Sequence, residues 1–425
     1  MEFKLKDIAH INQETLKKDS FPNNFLYLDT KNLTSGKFGE LVYFDTMKDK
    51  VPSRARRIVK ENDILISTVR PNQRHYGFIT KDQESYIVST GFAVITPDET
   101  KVNPYFLYKY LTLENITNYL QSIAENSTSA YPAIKPSVLS ELSIILPDKT
   151  IQGYISKLLR SLDDKMNLNE QIIANLEKLS QTLFKHWFVD FEFPDKNGNP
   201  YKSSGGEMVD SELGEIPKGW RVETLEKLGS IVGGGTPSKK NKEYYTNNGI
   251  PWITPKDLSK NRNIYISHGE NDISELGLNK SSAKLLEKNS VLFSSRAPIG
   301  YIAINNIPVT TNQGFKSIVP NEEMNPYFIY FILKNITPLI EQTASGSTFK
   351  EISAKGLKSI KIVFPSIELI EHYGNIVKKY FEEINFLENQ NIKLIELRDT
   401  LLPKLMSGEI EIPDDIEVNN DELSI

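Results

Sequence analysis

The tetrapeptide Asn103-Pro-Tyr-Phe106 is repeated as Asn325-Pro-Tyr-Phe328, 222 residues further along this sequence. Asparagine is favoured as the N-cap of a helix, and proline is favoured in its first turn. Each copy therefore predicts the start of a helix, which we expect to cover Tyr105 to Leu113 and Tyr327 to Leu333. Because the copies lie so far apart, the chain is predicted to contain two versions of one domain.

Other short matches lie in the same order around this tetrapeptide, at offsets that change by only a few residues. The matched pairs are Tyr27–Leu33 with Trp252–Leu258, Asp63–Thr68 with Ser290–Ser295, Gly91–Phe92 with Gly314–Phe315, Ser127–Tyr131 with Ser345–Phe349, and Pro147 with Pro365. Loop insertions between equivalent segments would produce such a drift, whereas chance matches would not be collinear. The sequence therefore predicts a duplicated domain.

Each predicted domain is followed by a long helical pattern, at residues 150–190 and 367–408. Apolar side chains recur there at alternating three- and four-residue steps, which is typical of coiled-coil helices. A packed core helix is the alternative, but the stripe is narrow and the other faces carry Lys, Glu, Asn and Gln. A helix of about 36 residues spans about 54 Å, more than a compact core needs. The stripe consists of Leu158, Leu162, Ile172, Leu176, Leu179, Leu183, Ile384, Leu387, Leu394 and Leu401.

The segments before the long helices have a mixed α/β pattern. Short β-rich runs bounded by Pro, Gly, Asn and Asp predict strands at Ile64–Val69, Ile87–Ile95, Val291–Phe293 and Ile360–Phe364. We expect the two domains to cover residues 1–149 and 221–366. A linker rich in Gly, Pro and Ser is predicted at 191–220, and a disordered acidic tail at 409–425.

The net charge of −5 is unevenly distributed along the 425 residues. Residues 1–149 carry +1, 150–190 carry no net charge, and 191–366 carry +3, whereas 367–425 carry −9. The acidity of the whole chain therefore does not exclude nucleic acid as a partner of the two larger segments.

Composition also restricts the chemistry. The sequence contains no cysteine, and none of its five histidines lies within five residues of another. Disulfides are excluded and no metal site is predicted. No apolar run approaches the ~18 residues of a membrane span, and the N-terminus lacks the apolar stretch of a signal peptide. We expect a cytoplasmic chain without a membrane partner.

Several segments, taken in order, resemble the specificity subunit of type I restriction-modification systems. They are Ser161–Lys165, Asn169–Gln171, Phe184–Phe191, Tyr201–Glu207, Leu213–Trp220, Gly234–Ser238, Ile250–Ile253 and Asn312–Phe315. The resemblance covers nearly the whole chain. The first domain departs from the pattern because it begins without a counterpart of Leu213–Trp220.

This resemblance implies two target recognition domains separated by two long antiparallel coiled-coil helices. Each domain would read one half of a bipartite, asymmetric double-stranded DNA site. The helices would set the spacing of the half-sites and dock two methyltransferase subunits, and restriction translocase subunits would join them. S-adenosylmethionine, ATP and Mg²⁺ would be bound by those partners, so no cofactor is expected on this chain.

We expect DNA contacts from the loops that leave the paired strands, since arginine can bond guanine and lysine can bond phosphate. The candidates are Arg70, Arg74, His75 and Tyr76 in the first half, and Lys239, Lys240, Lys242, Tyr244, Ser294, Ser295, Arg296, Thr310, Asn312 and Gln313 in the second. A solvated loop is the alternative for any single residue. Tyr27 and Trp252 occupy matched positions inside apolar triplets, which favours core packing over base stacking.

Three motifs resemble catalytic sites. The repeated tetrapeptide resembles the Asn-Pro-Pro-Tyr motif of adenine methyltransferases without its second proline, so helix capping is favoured. Asp148 with Asp163–Lys165 resembles a nuclease pattern, but the latter segment lies on the long helix and is expected to be solvated. Gly233–Lys240 lacks Walker spacing, although its backbone N–H groups and lysines suit DNA phosphate. No catalytic residue is predicted. The alternatives to a DNA specificity subunit are a stand-alone methyltransferase or nuclease, and a coiled-coil scaffold that does not bind DNA.

Overall fold

The computed structural model describes residues 1–17, 20–126, 131–346, 350–410 and 412. The chain divides into two compact units, unit 1 with Met1–Met166 and Lys393–Ile425, and unit 2 with Asn167–Ile392. The matched segments 127–131 and 345–349 lie partly outside the described residues. The predicted tail at 409–425 lies almost entirely outside them.

Unit 1 is an α/β domain with two four-stranded sheets. Its strands are β1 (Glu2–Lys4), β2 (Ala9–Ile11), β3 (Asn24–Leu28), β4 (Leu33–Thr34), β5 (Lys37–Phe38), β6 (Val42–Asp45), β7 (Ala55–Ile58), β8 (Ile64–Ser67), β9 (Tyr76–Phe78), β10 (Ile87–Ser89), β11 (Phe92–Pro97) and β12 (Ser143–Ile145). Its helices are α1 (Leu5–Ile8), α2 (Pro104–Leu111), α3 (Glu114–Glu125), α4 (Pro136–Ser140) and the start of α5 (Lys149–Phe188). The sheets have the orders β2-β11-β8-β9 and β6-β3-β10-β7, and the pairs β1-β12 and β4-β5 are separate.

Unit 2 repeats this plan. Its strands are β13 (Met208–Ser211), β14 (Gly214–Pro217), β15 (Arg221–Thr224), β16 (Gly229–Gly233), β17 (Tyr245–Thr246), β18 (Ile250–Ile253), β19 (Tyr265–Ile266), β20 (Asn271–Ile273), β21 (Val291–Ser295), β22 (Ile299–Asn305), β23 (Thr310–Thr311), β24 (Lys316–Pro320) and β25 (Lys361–Phe364). Its helices are α6 (Pro255–Lys260), α7 (Glu275–Asn279), α8 (Pro326–Thr343), α9 (Ala354–Lys358) and most of α10 (Ile367–Ser407). The sheets have the orders β16-β24-β21-β22-β19 and β17-β20-β18-β23, with β13-β14 and β15-β25 as separate pairs.

The duplication predicted from sequence is confirmed by the pairing of the strands. In unit 1 the parallel pair β3-β10 aligns Tyr27 with Ile87, and in unit 2 the parallel pair β18-β23 aligns Trp252 with Thr310. Tyr27 and Trp252 are both buried, as core packing predicts. The two units therefore share this parallel pair at their matched segments. They differ at the sheet edges, because β19 extends the larger sheet of unit 2, and β7 lies beside β10 whereas β17 lies beside β20.

The helix starts at the repeated tetrapeptide are also confirmed. The side chain of Asn103 accepts a hydrogen bond from Phe106 N at 3.0 Å, and that of Asn325 accepts one from Phe328 N at 2.8 Å. Helix α8 extends ten residues beyond the predicted end and continues past Pro338. Burial of Ile340 against the core stabilises this extension.

The long helices α5 and α10 each contribute to both units. In unit 2 they are antiparallel, because Asn169 contacts Asn391 while Tyr373 Oη donates to Ser180 O at 3.1 Å. The side of α5 that is buried contains Leu159, Met166, Asn169, Ser180 and Phe184.

The predicted apolar stripe was therefore only partly right on α5. Leu158, Ile172 and Leu179 lie beside the buried seam, and Leu179 is 56% exposed. The sequence pattern favoured leucine, whereas two of the buried positions are polar. On α10 Ile384 and Leu387 are buried, as a helix seam requires, so these two side chains are not exposed for the partner docking that the sequence predicted.

Residues 191–220 were predicted to be a linker, but they fold against unit 2. The ring of Phe193 stacks on Tyr201 at 4.6 Å and on Trp220 at 5.1 Å between centroids. Trp220 and Ile216 belong to the core of the unit. Glycine and proline mark the tight turns of this segment, while its aromatic residues anchor it.

Candidate nucleic-acid interface

The loop after β21 is held by two buried serines. Ser295 N and Ser295 Oγ both donate to Gly314 O, at 2.8 and 3.1 Å. Ser294 Oγ donates to Pro298 O at 2.8 Å and accepts from Tyr301 N at 2.7 Å. These bonds fix the backbone on both sides of Arg296.

Unit 1 repeats this arrangement after β8. Thr68 N and Thr68 Oγ1 both donate to Gly91 O, at 2.8 and 3.0 Å. The residue before the following proline has a left-handed backbone in both units, with φ of 48° at Arg70 and 50° at Ala297. Such a conformation is costly for a residue other than glycine, and it is often retained where function requires it.

Two exposed arginines project from the loop of unit 1. Arg70 and Arg74 flank the short helical turn Pro71–Gln73, and both have left-handed backbones. The guanidinium of Arg70 lies 5.2 Å from the centroid of the Tyr131 ring, and Arg74 lies 3.6 Å from Glu114. Both cations are accessible at the surface.

In unit 2 the corresponding loop adjoins a group of polar side chains. Gly314, which holds Ser295, follows the exposed Gln313, whose side chain contacts Thr236 Oγ1. Thr236 in turn precedes the exposed lysines 239, 240 and 242. Arg296, Gln313 and these lysines therefore lie along one connected set of loops.

Arg296 belongs to a charged cluster of three side chains. Its Nη1 lies 3.4 Å from Glu351 Oε2, and Lys316 Nζ lies 3.6 Å from Glu351 Oε1. The backbones of Arg296 and Glu351 also form an isolated β-bridge. One carboxylate thus lies between two cations beside the candidate interface.

A sequence model of the family described as type I restriction modification DNA specificity domain matches residues 1–178 and 217–397. The chain belongs to this family of specificity subunits. The HindI specificity subunit of Haemophilus influenzae is 31% identical over 461 residues, which cover 96% of this chain and 99% of that protein. The EcoR124I/EcoR124II specificity subunit of Escherichia coli is 28% identical over 242 residues, covering 56% of this chain and 57% of that protein.

A solved structure shares the fold of this specificity subunit. The S subunit of a type I restriction-modification system from M. genitalium superposes with a TM-score of 0.58 at 17% identity, covering 95% of each chain. The two-domain architecture with long helices that the sequence predicted is therefore established for this chain.

Several side chains predicted to contact DNA are not available on this specificity subunit. Ser294, Ser295 and Thr310 are fully buried, and Thr310 Oγ1 donates to Pro251 O at 2.9 Å. Their hydroxyls maintain the loop and the β18-β23 pair, so this part of the prediction is corrected. A sequence pattern places hydroxyl residues at a strand end but does not show which way they point.

Other candidates are partly committed to contacts within their own unit. His75 Nδ1 lies 2.6 Å from Leu33 O, and its Nε2 lies 3.1 Å from Gln73 Oε1. Tyr76 packs edge-on against Tyr108, and Asn312 Oδ1 accepts from Gly314 N. Tyr244 ends the helical turn that contains Lys242 and is half-buried.

The motif at Gly233–Lys240 is a packing feature. A Cβ on Gly234 would lie 2.0 Å from Asn312 O, and one on Gly235 would lie 2.4 Å from Ala283 N. Gly235 N already donates to Thr311 O at 2.9 Å, so that N–H is not presented to a phosphate. The lysines at the end of the motif remain exposed.

The carboxylates that resemble a nuclease site have separate structural roles. Asp148 Oδ1 accepts from Ile151 N at the start of α5. Asp163 was expected to be solvated, but its side chain is only 18% exposed and pairs with Lys109 and, at 3.4 Å, with Arg398. Burial lowers the pKa of Lys109, and the charge of Asp163 opposes that shift. Within the described ranges, no three His, Asp or Glu side chains gather as a metal site requires.

Lys316 and Glu351, which form ion pairs beside the candidate loop of unit 2, were not among the residues predicted from sequence. Neither residue belongs to a recognisable motif. Only a comparison of the two repeated domains could have shown that a charged residue stands where the other domain has an apolar one. When the two units are aligned through Gly91 and Gly314, the position of Lys316 corresponds to a buried alanine, Ala93.

Of the helices in the part of the chain that the structure describes, none has the length and apolarity needed to cross a membrane.

Proposed function

We propose that this chain selects the DNA sequence on which a type I restriction-modification complex acts, and that it performs no catalysis itself. The observation that carries the proposal is the repeated loop, held by the same bonds to Gly91 O in one unit and Gly314 O in the other. Each recognition domain then reads one half of a bipartite site. The differing side chains on the two loops make that site asymmetric.

The side chains proposed to contact DNA are those that the loops leave accessible. In unit 1 they are Arg70 and Arg74, with His75 and Tyr76 at the margin. In unit 2 they are Lys239, Lys240, Lys242, Arg296 and Gln313, with Tyr244 and Asn312 at the margin. Arginine and glutamine suit base edges, while the lysines suit phosphates.

We propose that the long helices dock two methyltransferase subunits, which restriction translocase subunits then join. In unit 2, Leu168 and Leu179 on α5 and Phe386 on α10 are 46%, 56% and 60% exposed. Apolar side chains exposed along coiled-coil helices are suited to a protein partner. S-adenosylmethionine, ATP and Mg²⁺ would be bound by those partners, in the cytoplasm where the DNA lies.

Mapping of methylated adenines in cells with and without this gene tests the function. We expect one bipartite methylated motif to disappear when the gene is removed and to return with a plasmid copy. Methylation that persists without the gene would contradict the proposal. If the purified chain alone methylated DNA, a stand-alone methyltransferase would be supported instead. If the reconstituted complex showed no salt-dependent DNA binding, a coiled-coil scaffold would be supported.

A further inference from the structure

We propose that Glu351 is a specificity-determining residue of the second recognition domain. Its carboxylate occupies the place of a DNA phosphate between Arg296 and Lys316, and DNA must displace it to engage these cations. The inference rests on the proposed function, because it requires Arg296 to face DNA.

The contacts of Glu351 define an anion site formed by side chains. Each carboxylate oxygen meets a different cation, Arg296 at 3.4 Å and Lys316 at 3.6 Å. Arg296 is 35% exposed and Glu351 is 38% exposed, so both can be reached from outside. Lys316 is only 14% exposed, so it is less accessible than the other two side chains. Two cations therefore converge on one anion at the rim of the domain.

The first domain shows that the fold does not require this cluster. The backbone bridge between Arg296 and Glu351 has its equivalent in a bridge between Val69 and Ala133. Lys316 corresponds to Ala93, so apolar residues occupy all three positions in unit 1. Because the same backbone is built without any charge, the cluster is a feature of the second domain's surface.

Competition between Glu351 and DNA explains how this cluster would increase specificity. Any duplex offers phosphates, and its affinity comes mainly from neutralising them with lysine and arginine. Glu351 lowers that sequence-independent affinity, because Arg296 and Lys316 are already neutralised. A target site also offers base contacts that compensate for the displaced carboxylate. The carboxylate therefore weakens non-specific binding more than specific binding.

The test uses the full chain assembled with its methyltransferase partner and the variant Glu351→Gln. Binding is measured over a range of salt concentrations, on a duplex that contains the methylated motif and on one that lacks it. We expect the Kd for the duplex without the motif to fall about fivefold. Its logarithmic salt slope should steepen by about 0.9, which corresponds to one additional phosphate contact. The Kd for the target should change less, so the ratio of the two Kd values should shrink.

The matched control is Glu322→Gln, which removes the same charge from an exposed loop beyond the other end of β24. We expect it to change neither salt slope. An equal effect of both variants would overturn the proposal, because only net charge would then matter. Unchanged non-specific binding by Glu351→Gln would also overturn it.

Two further variants complete the test. If thermal unfolding shows that Glu351→Gln does not fold, Glu351→Asp replaces it. The shorter side chain of aspartate cannot span both cations, so we expect a smaller change in Kd in the same direction. If Glu351→Asp leaves the Kd unchanged, the proposal is overturned. Arg296→Ala distinguishes a failure of the role of Glu351 from a failure of the DNA contact. If it weakens DNA binding while Glu351→Gln does nothing, only the role of Glu351 fails. If Arg296→Ala also has no effect, the DNA contact proposed for this loop fails.

Discussion

Val69 and Arg296 occupy the same position of a repeated backbone and have opposite chemical character. Each follows a hydroxyl residue, Thr68 or Ser295, that donates to a glycine carbonyl, and each forms a bridge to the loop before the next helix. The framework bonds are therefore shared, while the partly exposed side chains differ. We therefore expect substitutions at such positions to change the proposed DNA preference with little effect on the fold.

Replacement of Arg296 by alanine tests this division at the residue scale. We expect DNA binding by the complex to weaken by about 1 to 3 kcal/mol, because a bidentate arginine contact has that strength. The free energy of unfolding should change little, since the side chain is partly exposed and Glu351 retains Lys316. Arg221→Ala, an exposed arginine on β15, is the matched control and should leave the affinity unchanged. Equal affinity and sequence preference for wild type and Arg296→Ala would contradict the assignment.

Glu388 is a second residue whose environment has a measurable consequence, the dependence of stability on pH. Its carboxylate on α10 accepts from Ile264 N at 2.7 Å and from Tyr265 N at 3.0 Å. Burial raises its pKa from 4.5 to about 7, although these two hydrogen bonds oppose the shift. Between pH 4.5 and about 7, Glu388 is therefore protonated in the folded protein and ionised in the unfolded chain.

The contribution of Glu388 to stability should therefore fall as pH rises from about 4.5 to about 7, and stay constant above that. The total loss is about 3 kcal/mol, since each pKa unit corresponds to 1.36 kcal/mol. Denaturant unfolding of wild type and Glu388→Gln across this range measures it. The variant should lack this part of the pH dependence, whatever its absolute stability. Parallel curves for the two proteins would show that Glu388 does not titrate there.

At the scale of elements, the helix seam of unit 2 contains a polar contact where an apolar one is usual. Asn169 is fully buried and its Nδ2 donates to Asn391 Oδ1 and Gln390 Oε1, both at 2.8 Å. Among the described residues, Asn169 Oδ1 has no hydrogen-bond partner. Such a pair weakens the seam but favours one register, because a shifted register would bury the amides without each other.

The variant Asn169→Leu tests this role. We expect it to reduce the free energy of unfolding by about 1 to 3 kcal/mol, because Asn391 loses a buried donor. The double variant Asn169→Leu with Asn391→Leu should recover that loss or exceed wild type. Chemical denaturation of the three proteins gives the comparison. If the single variant were as stable as the double one, the amide pair would not couple the helices.

The limits of sequence analysis are clearest at this scale. Periodicity located both long helices, and the tetrapeptide located two helix starts, because these signals are local. Asp163 pairs with Arg398, 235 residues away, and no local pattern encodes that contact. Polar seam positions such as Asn169 were missed because a hydrophobic stripe cannot include them. At the interface, residue type suggested Ser294 and Thr310, but only the fold shows that their hydroxyls point inward.

At the scale of the whole molecule, duplication and the two long helices together determine what kind of DNA site can be read. Helix α5 has 40 residues and α10 has 41, which corresponds to about 60 Å each. Both helices contribute to both units. We therefore expect the helices to set the separation of the two half-sites, while the loops of each domain set their bases.

An insertion into α5 tests whether the helices act as this ruler. Four residues placed between the exposed Ala174 and Asn175 lengthen the helix by about 6 Å and rotate its C-terminal part by about 40° relative to its N-terminal part. An insertion of four locally unwinds a coiled coil without abolishing its seam, so folding should survive. Since base pairs are about 3.4 Å apart, the unread gap of the methylated motif should lengthen by one or two base pairs. The same insertion between Ser203 and Ser204, in an exposed turn outside the helices, should leave the gap unchanged. Methylome sequencing of the variants distinguishes the outcomes. If the folded α5 variant kept the original gap, or if the bases of a half-site changed, the helices would not be what sets the spacing.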